Sequence, residues 1–304
     1  EIKYKGFQDT SEKIYEFHPH ILRLVTQSLK KIDRSLRNNP EANKLFLEIL
    51  TSKKGPERIL RRMNESQVFG RFIPDFGRVV AQMQYDMYHV YTVDEHTIIM
   101  LGILFKIESG ELEEVVPIAS DVIHKVISRK ELYVAVLLHD IGHGPFSHVF
   151  DNVVIKDDSN CHEIRSRRIV EEIFKEVGTS KELSSAYVID YIKEMIEPIS
   201  YDYTDNPFFD IVNNSKNSID VDKFDYLQRD PRHIGLDCSF DPARIINKSF
   251  LEGSDIVYSK SVSNNISSMF QTRYRFHKEI YNHKTVKLIE LMLGDALLSA
   301  DSYY

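Results

Sequence analysis

Tryptophan is missing from this 304-residue chain, and cysteine occurs only twice, at Cys161 and Cys238. Two distant cysteines in no metal-type spacing give no zinc-thiolate motif, and they point to a reduced compartment rather than a disulfide framework. Long hydrophobic runs are also missing: stretches such as YVAVLL (133–138) are far too short to span a bilayer. So is an excess of positive charge. A net charge of −7 argues against nucleic acid as the main partner, while leaving room for a local basic patch. The opening stretch EIKYKGFQDTSEKIYEF is charged and has no apolar h-region, so no secretory signal is expected. These absences predict a soluble intracellular protein, cytoplasmic or nuclear, with no membrane partner.

What remains is helical periodicity. In HILRLVTQSLKKIDRSL (20–36), Ile21, Leu22, Val25, Leu29 and Ile32 form one stripe, with basic residues opposite. Residues 43–67 form two short helices broken at Gly55-Pro56. Further helices are expected over 86–107, 131–140, 162–177, 181–196, 218–230 and 271–301, with loops at 156–160, 200–210 and 251–265. The last loop has room for a short β-hairpin. No internal repeat, low-complexity tract or interdomain linker is visible. The expected fold is an all-α helical bundle, with an N-terminal helical extension (1–68) before one catalytic domain (69–304).

The stretch LLHDIGHGPFSH (137–148) puts three histidines and an aspartate directly behind an apolar run. Adjacent helical side chains diverge by about one hundred degrees, so His139 and Asp140 approach one ion only from its flank. Left buried and unpartnered, the pair would cost several kcal/mol. A divalent cation resolves that if other helices add ligands. His96, in TVDEHTIIM, and Asp222, in SIDVDKFDYLQRD, are the candidates, although Asp220 and Asp225 compete for the fourth place and spacing does not choose among them. Two imidazoles and two carboxylates suit iron, manganese or zinc better than magnesium alone, with magnesium arriving with substrate. A lone His-Asp dipeptide is more often a cap or a surface pair, and a lone His96 a hydrogen-bonded core histidine beside His89. The argument rests on the set.

The order of a helical His, then His-Asp, then a distant Asp resembles the HD-domain metal-dependent phosphohydrolases. From about residue 131 onward, HDIGHGPFSHVFD, CHE, IDVDKFDYLQRD, QTRYRFHKEIYNHK and DALLSAD resemble the catalytic core of the SAM-and-HD-domain deoxynucleoside triphosphate triphosphohydrolases. That resemblance implies an HD-domain helical bundle and selects Asp222 beside His96, His139 and Asp140. Upstream, residues 60–97 and the continuation to His139-Asp140 resemble the HD region of the bifunctional PII uridylyltransferase/uridylyl-removing enzyme, a likeness that begins near residue 43. The two likenesses meet at the His-Asp pair.

In the triphosphohydrolase-like reading, water attacks the α-phosphorus of a dNTP and releases a deoxynucleoside and triphosphate. The resemblance then implies His143 as the proton donor, His162 as a catalytic helper, Asp151 as the group orienting an imidazole, and His148 as a phosphate contact. It makes Lys223 and Arg273 phosphate contacts, Tyr226 a wall near the sugar, Asp230 an acceptor for the 3′-hydroxyl, and Tyr281 a barrier at the 2′ position. Two stripes carry these groups at helical spacing: Asp222, Tyr226 and Asp230, then Arg273, His277 and Tyr281.

Departures from that family are specific. Val93 stands where its members have a phosphate-contacting arginine, and RVVAQMQYDMYHV offers no counterpart of their glutamine-leucine pair. The leading expectation is therefore a dNTP triphosphohydrolase. A uridylyl-removing phosphodiesterase acting on a nucleotidylated protein is the alternative, and a catalytically silent metal-binding scaffold the third. A homo-oligomer is compatible with each.

Overall fold

The computed structural model describes residues 18–82, 92–109, 129–176, 185–199, 209–214, 216–233, 235, 239–253 and 255–301. The expected helix starts at 86–91, His89, Cys238, the turn at 110–111 and most of the 200–210 loop lie outside those residues.

Among the described residues, the N-terminal part is built on α1 (Pro19–Gln27), α2 (Pro40–Leu50), α3 (Glu57–Glu65), α4 (Val68–Phe72) and α5 (Pro74–Val79). The start of α2 follows ordinary capping chemistry, whereas α3, α4 and α5 begin without a side-chain cap. Asn39 accepts hydrogen bonds from the backbone N–H groups of Glu41 and Ala42, and Pro40 sits at the first helical position. The break at Gly55-Pro56 occurs as expected. The single helix expected over 20–36 does not form, because Asp33 caps a new turn through Leu36 N and divides the segment into α1, a 3-10 turn at Leu29–Lys31 and a helical turn at Arg34–Arg37.

Next come α6 (Val93–Ser109), α7 (Arg129–Leu138), α8 (His162–Glu176), α9 (Ala186–Ile196) and α10 (Val221–His233). Helix α7 is buried from Leu132 to Leu138 without a break. A helix apolar all round belongs in a core, and α7 packs against α6, α9 and α2. Each buried leucine there contributes about 2 kcal/mol. Opposite its C-terminal end, Tyr133 donates to Glu108 at 2.7 Å, and Arg129 pairs with the same carboxylate.

The chain closes with an antiparallel hairpin, β1 (Ser249–Glu252) and β2 (Asp255–Tyr258), then α11 (Ser263–Phe276) and α12 (Lys284–Ala300). The hairpin is the only sheet among the described residues, so the all-α expectation holds. The single helix expected over 271–301 is divided by a π-helical turn at His277–Tyr281 and restarts after His283, whose ring accepts from Thr285 N. Across the wider turn the His277 and Tyr281 rings still meet edge-on, with centroids 5.2 Å apart.

Two apolar cores result. The larger joins α2–α5 with α6–α9 and Val221 of α10; the smaller joins Phe224 and Leu227 of α10 with Phe240, Ile245, Met269 and Phe276. Helix α10 therefore contributes to both. No helix among the described residues is long and apolar enough to cross a membrane.

Candidate metal centre

Helix α7 ends at Leu138, leaving its last carbonyls without intrahelical donors. His139 takes one of them: its Nδ1 lies 2.8 Å from Val136 O. A carbonyl only accepts, so Nδ1 carries the proton and Nε2 of the neutral ring holds a bare lone pair. That Nε2 is buried and makes no well-aligned hydrogen bond, and the nearest charge to it is Asp140 Oδ2 at 3.3 Å. His96, inside α6, repeats the arrangement: Asp225 Oδ2 accepts from its Nδ1 at 2.7 Å, and its Nε2 lies 3.3 Å from Asp222 Oδ1 and 3.7 Å from Asp140 Oδ2. Two imidazoles whose outer nitrogens are fixed by acceptors, and whose inner nitrogens face carboxylates, form a donor set suited to a divalent ion. His96, His139 and Asp140 bring one ligand atom each within 4.8 Å of one another, and Asp222 adjoins His96. The residues present fit the group.

The three aspartates that sequence spacing left unresolved take separate tasks. Asp220 caps α10, accepting from Lys223 N at 3.0 Å and pairing with Lys223 Nζ at 2.6 Å. Asp222 faces the inner nitrogen of His96, and Asp225, one turn on, holds the outer one.

Electrostatics agree with this geometry. Burial alone would lower the His96 pKa, but hydrogen bonds to Asp222 and Asp225 outweigh it and raise it to about 10. Burial opposes the His139 proton too, and Asp140 overrides it. Burial would raise Asp140 and Asp222, yet His139 and His143 hold the first well below the carboxylate range and His96 holds the second there. A field that stabilises protons on two buried imidazoles also stabilises a divalent cation between the carboxylates, and the two compete.

Beyond Asp140, the chain turns through Gly142. A Cβ there would overlap the His162 carbonyl and Ser166 N, so only glycine lets the turn lie against α8. Gly142 N donates to Ser166 Oγ at 2.9 Å, and Arg165 Nε donates to Gly142 O at 2.9 Å. This contact brings three more histidines together. The His143 and His162 rings stack with centroids 4.0 Å apart, and His148 meets both edge-on at 5.5 Å. His143 Nδ1 shares a hydrogen bond with Ser147 Oγ at 2.8 Å, and its Nε2 lies 3.5 Å from Asp140 Oδ1. Burial, then the neighbouring His162, pushes the His143 pKa down to about 3. Burial also disfavours the His162 proton, but Asp151 Oδ2 at 2.8 Å reverses that. Of the stacked pair, His162 holds a proton more firmly.

Asp151 stands behind this pair, bonded to the His162 ring, to His162 N at 3.2 Å and to Arg165. Burial would raise its pKa, yet the His162 and Arg165 bonds lower it from 3.8 to about 2. Its stabilising contribution is therefore present above about pH 4 and is lost as pH falls through about 2. Asp151→Asn is expected to cost about 2 kcal/mol at neutral pH. The gap between urea titrations of native and variant protein should hold from about pH 7 to about pH 4 and narrow as pH falls from about 4 to about 2; a constant or widening gap over that range would show that the charge is not what matters.

A cleft of about 400 Å³ opens over the centre, lined by His96, Asp140, His143, His148, His162, Asp222, Lys223, Tyr226, Arg273 and Tyr281. All the expected substrate contacts border it except Asp230, which is fully buried and accepts from Tyr281 OH at 2.7 Å. Asp230 thus anchors a wall residue from behind. Sequence reasoning did not single out Asn152, Lys287 and Glu290, which also line the cleft, or Ser147 and Arg165, which support it. Ser147 lies within the HDIGHGPFSHVFD stretch, but its role, like those of the others, is found only by its position in space.

Residues 7–72 match the family described as Uridylyltransferase GlnD third domain, and residues 93–230 match the HD domain. The bifunctional uridylyltransferase/uridylyl-removing enzyme of Azospirillum brasilense is 53% identical over 176 residues, covering 58% of this chain and 18% of that protein. The enzymes of the same name from Novosphingobium aromaticivorans and Rhodospirillum rubrum are 58% and 59% identical over 134 and 129 residues, covering 44% and 42% of this chain. They are covered over 15% and 14% of their own lengths, so this chain spans less than a fifth of each of the three relatives.

Proposed function

We propose that this chain, which carries an HD domain, is a metal-dependent phosphodiesterase that releases a nucleotide from a nucleotidylated protein side chain, as a uridylyl-removing enzyme does. The hydrolase part rests on one observation above all, the convergence of the buried Nε2 atoms of His139 and His96 on the Asp140 carboxylate, with Asp222 beside His96. The substrate part is supported by relatives 53–59% identical whose name includes that activity. It reverses the order of the sequence-based expectations, in which dNTP hydrolysis led.

His96, His139, Asp140 and Asp222 would hold the metal. When bound, the ion supplies Lewis acidity toward a phosphate oxygen and a water of lowered pKa. The chain's own groups do the rest. His143 and His162 lie over the centre as a stacked pair, with Asp151 keeping the proton on the His162 side, and together they serve the leaving oxygen. His148 and Lys223 border the path of the phosphate. Tyr226, whose hydroxyl is kept protonated by burial and by Asp222, closes one side.

A second reading, dNTP triphosphohydrolase, is favoured by the cations around the cleft. Lys223, Arg273 and Lys287 all line it; Lys223 pairs with Asp220 and Lys287 with Glu290, so Arg273 is the cation that this reading leans on. The two readings separate by products. Manganese-loaded protein is incubated with a uridylylated PII-type protein and, separately, with a dNTP mixture, and both are chromatographed. UMP from the modified protein supports the first reading; deoxynucleoside plus triphosphate transfers the assignment to the second; neither product leaves only a metal-binding scaffold. Arg273→Ala separates them further. It is expected to keep its metal and, in the dNTP reaction, to raise KM about tenfold. Loss of the metal in that variant would place Arg273 in support of the ligand shell instead.

A further inference from the structure

We propose that Gln82 is a positioning residue for the loop that carries His143, locking it to the helix that carries His96. This inference rests on the reading of the centre as a phosphohydrolase. Gln82 lies where α6 begins in space: its backbone O accepts from Val93 N at 3.0 Å, three residues ahead of His96. Its neighbour Ala81, at φ +56°, donates its N–H to Asp94 Oδ1 at 3.1 Å, and Asn64 donates to the other oxygen of that carboxylate at 2.6 Å. The backbone of Gln82 is thereby fixed to the first turn of α6.

The side chain reaches the other way. Gln82 Nε2 donates to His143 O at 3.2 Å and to Gly144 O. The receiving loop is one that would not hold its form unaided. Phe146 at φ +60° and Ser147 at φ +49° are consecutive non-glycine residues in the left-handed region, a conformation that persists only where surrounding contacts impose it. Ser147 Oγ restrains the His143 ring, and Gln82 restrains the two carbonyls at the loop's start. Because the His143 carbonyl and imidazole share one residue, a shift of the carbonyl shifts the ring against His162 and Asp140. Gln82 does not line the cleft, so it acts through His143 and not on substrate. A primary amide suits the place. It offers two N–H donors to two carbonyls without bringing charge, whereas the isosteric carboxylate offers none.

The test compares Gln82→Glu, Gln82→Met and Gln82→Lys in the manganese-loaded full chain, with bis(4-nitrophenyl) phosphate as probe substrate. Glu and Met are expected to lower kcat about tenfold, with KM within about twofold and bound manganese unchanged. Lys, which restores a donor, is expected to recover most of kcat. In the Glu and Met variants, hydrogen–deuterium exchange of peptides spanning 143–149 should quicken while the rest of the chain keeps its protection. The proposal is overturned if kcat and exchange stay native in both, if KM moves and kcat does not, or if Lys falls as far as Met with a matching loss of melting temperature. Should the native protein fail to turn over the probe, the phosphohydrolase reading fails by itself. The exchange comparison still decides whether Gln82 holds the loop, and unchanged exchange there overturns it.

Discussion

His139→Ala is expected to lose its bound metal and at least about a thousandfold in turnover, well beyond the ten- to hundredfold cost typical of changes behind the ligands. The size follows from the way His139 is built in. Val136 O fixes the tautomer, so Nε2 is committed to the centre, where it makes no well-aligned hydrogen bond. Alanine deletes the ligand and leaves Asp140 and Asp222 facing each other with one imidazole fewer between them. Stability responds differently. The native protein should melt higher with metal, by about 2.7 kcal/mol when the ion is at a hundred times its Kd, and should drop on chelation. The variant should melt at the same temperature with or without chelator, because it holds no ion whose removal could shift the equilibrium. Elemental analysis, a turnover assay and paired thermal melts check this. A variant that still carries stoichiometric metal would remove His139 from the ligand set.

Gly142→Ala, a change of one methyl in a residue with no chemistry, should lower activity about a hundredfold. The new Cβ would overlap the His162 carbonyl and the Ser166 amide, both backbone atoms in the first turn of α8. No rotamer relieves that contact, so α8 must move and take His162 away from His143 and Asp151. Overpacking of this kind costs about 1–3 kcal/mol in stability. The proposed ligands come from α6, α10 and the turn just before Gly142, so metal content should remain native. Circular dichroism melts and metal analysis beside kcat decide it. A variant with native kcat would mean that His162 need not sit where it does, and a variant without metal would mean that the turn also sets the His139–Asp140 geometry.

Much of this candidate site was legible in the sequence because the proposed ligands are held by regular elements. The run YVAVLL announces a buried helix, and polar groups at its end demand partners, which is enough to find His139 and Asp140. His96 shows itself by lying inside another apolar helix. The choice among Asp220, Asp222 and Asp225 was not legible: capping, ligation and hydrogen bonding behind a ligand all use the same carboxylate, and only the position of His96 across the helix pair separates them. The break in 20–36 was missed because Asp33 competes as a cap inside an otherwise continuous apolar stripe. The π-helical turn at 277–281 leaves no mark in apolar spacing. Gln82 was passed over because an amide bonded to two carbonyls belongs to no motif. The substrate was the least legible part. The cleft side chains after residue 140 resemble one family, and the relatives reported above carry the other activity in their name.

Helix α10 lends its apolar residues to two cores while pointing Asp222 at the metal centre. A beam resting on two piers falls when either gives way. As denaturant rises, the weaker core releases α10 first, and turnover stops while most of the helices still stand. The centre behaves as a fuse: enzymatic inactivation reports the midpoint of the weaker core, and far-ultraviolet dichroism that of the stronger.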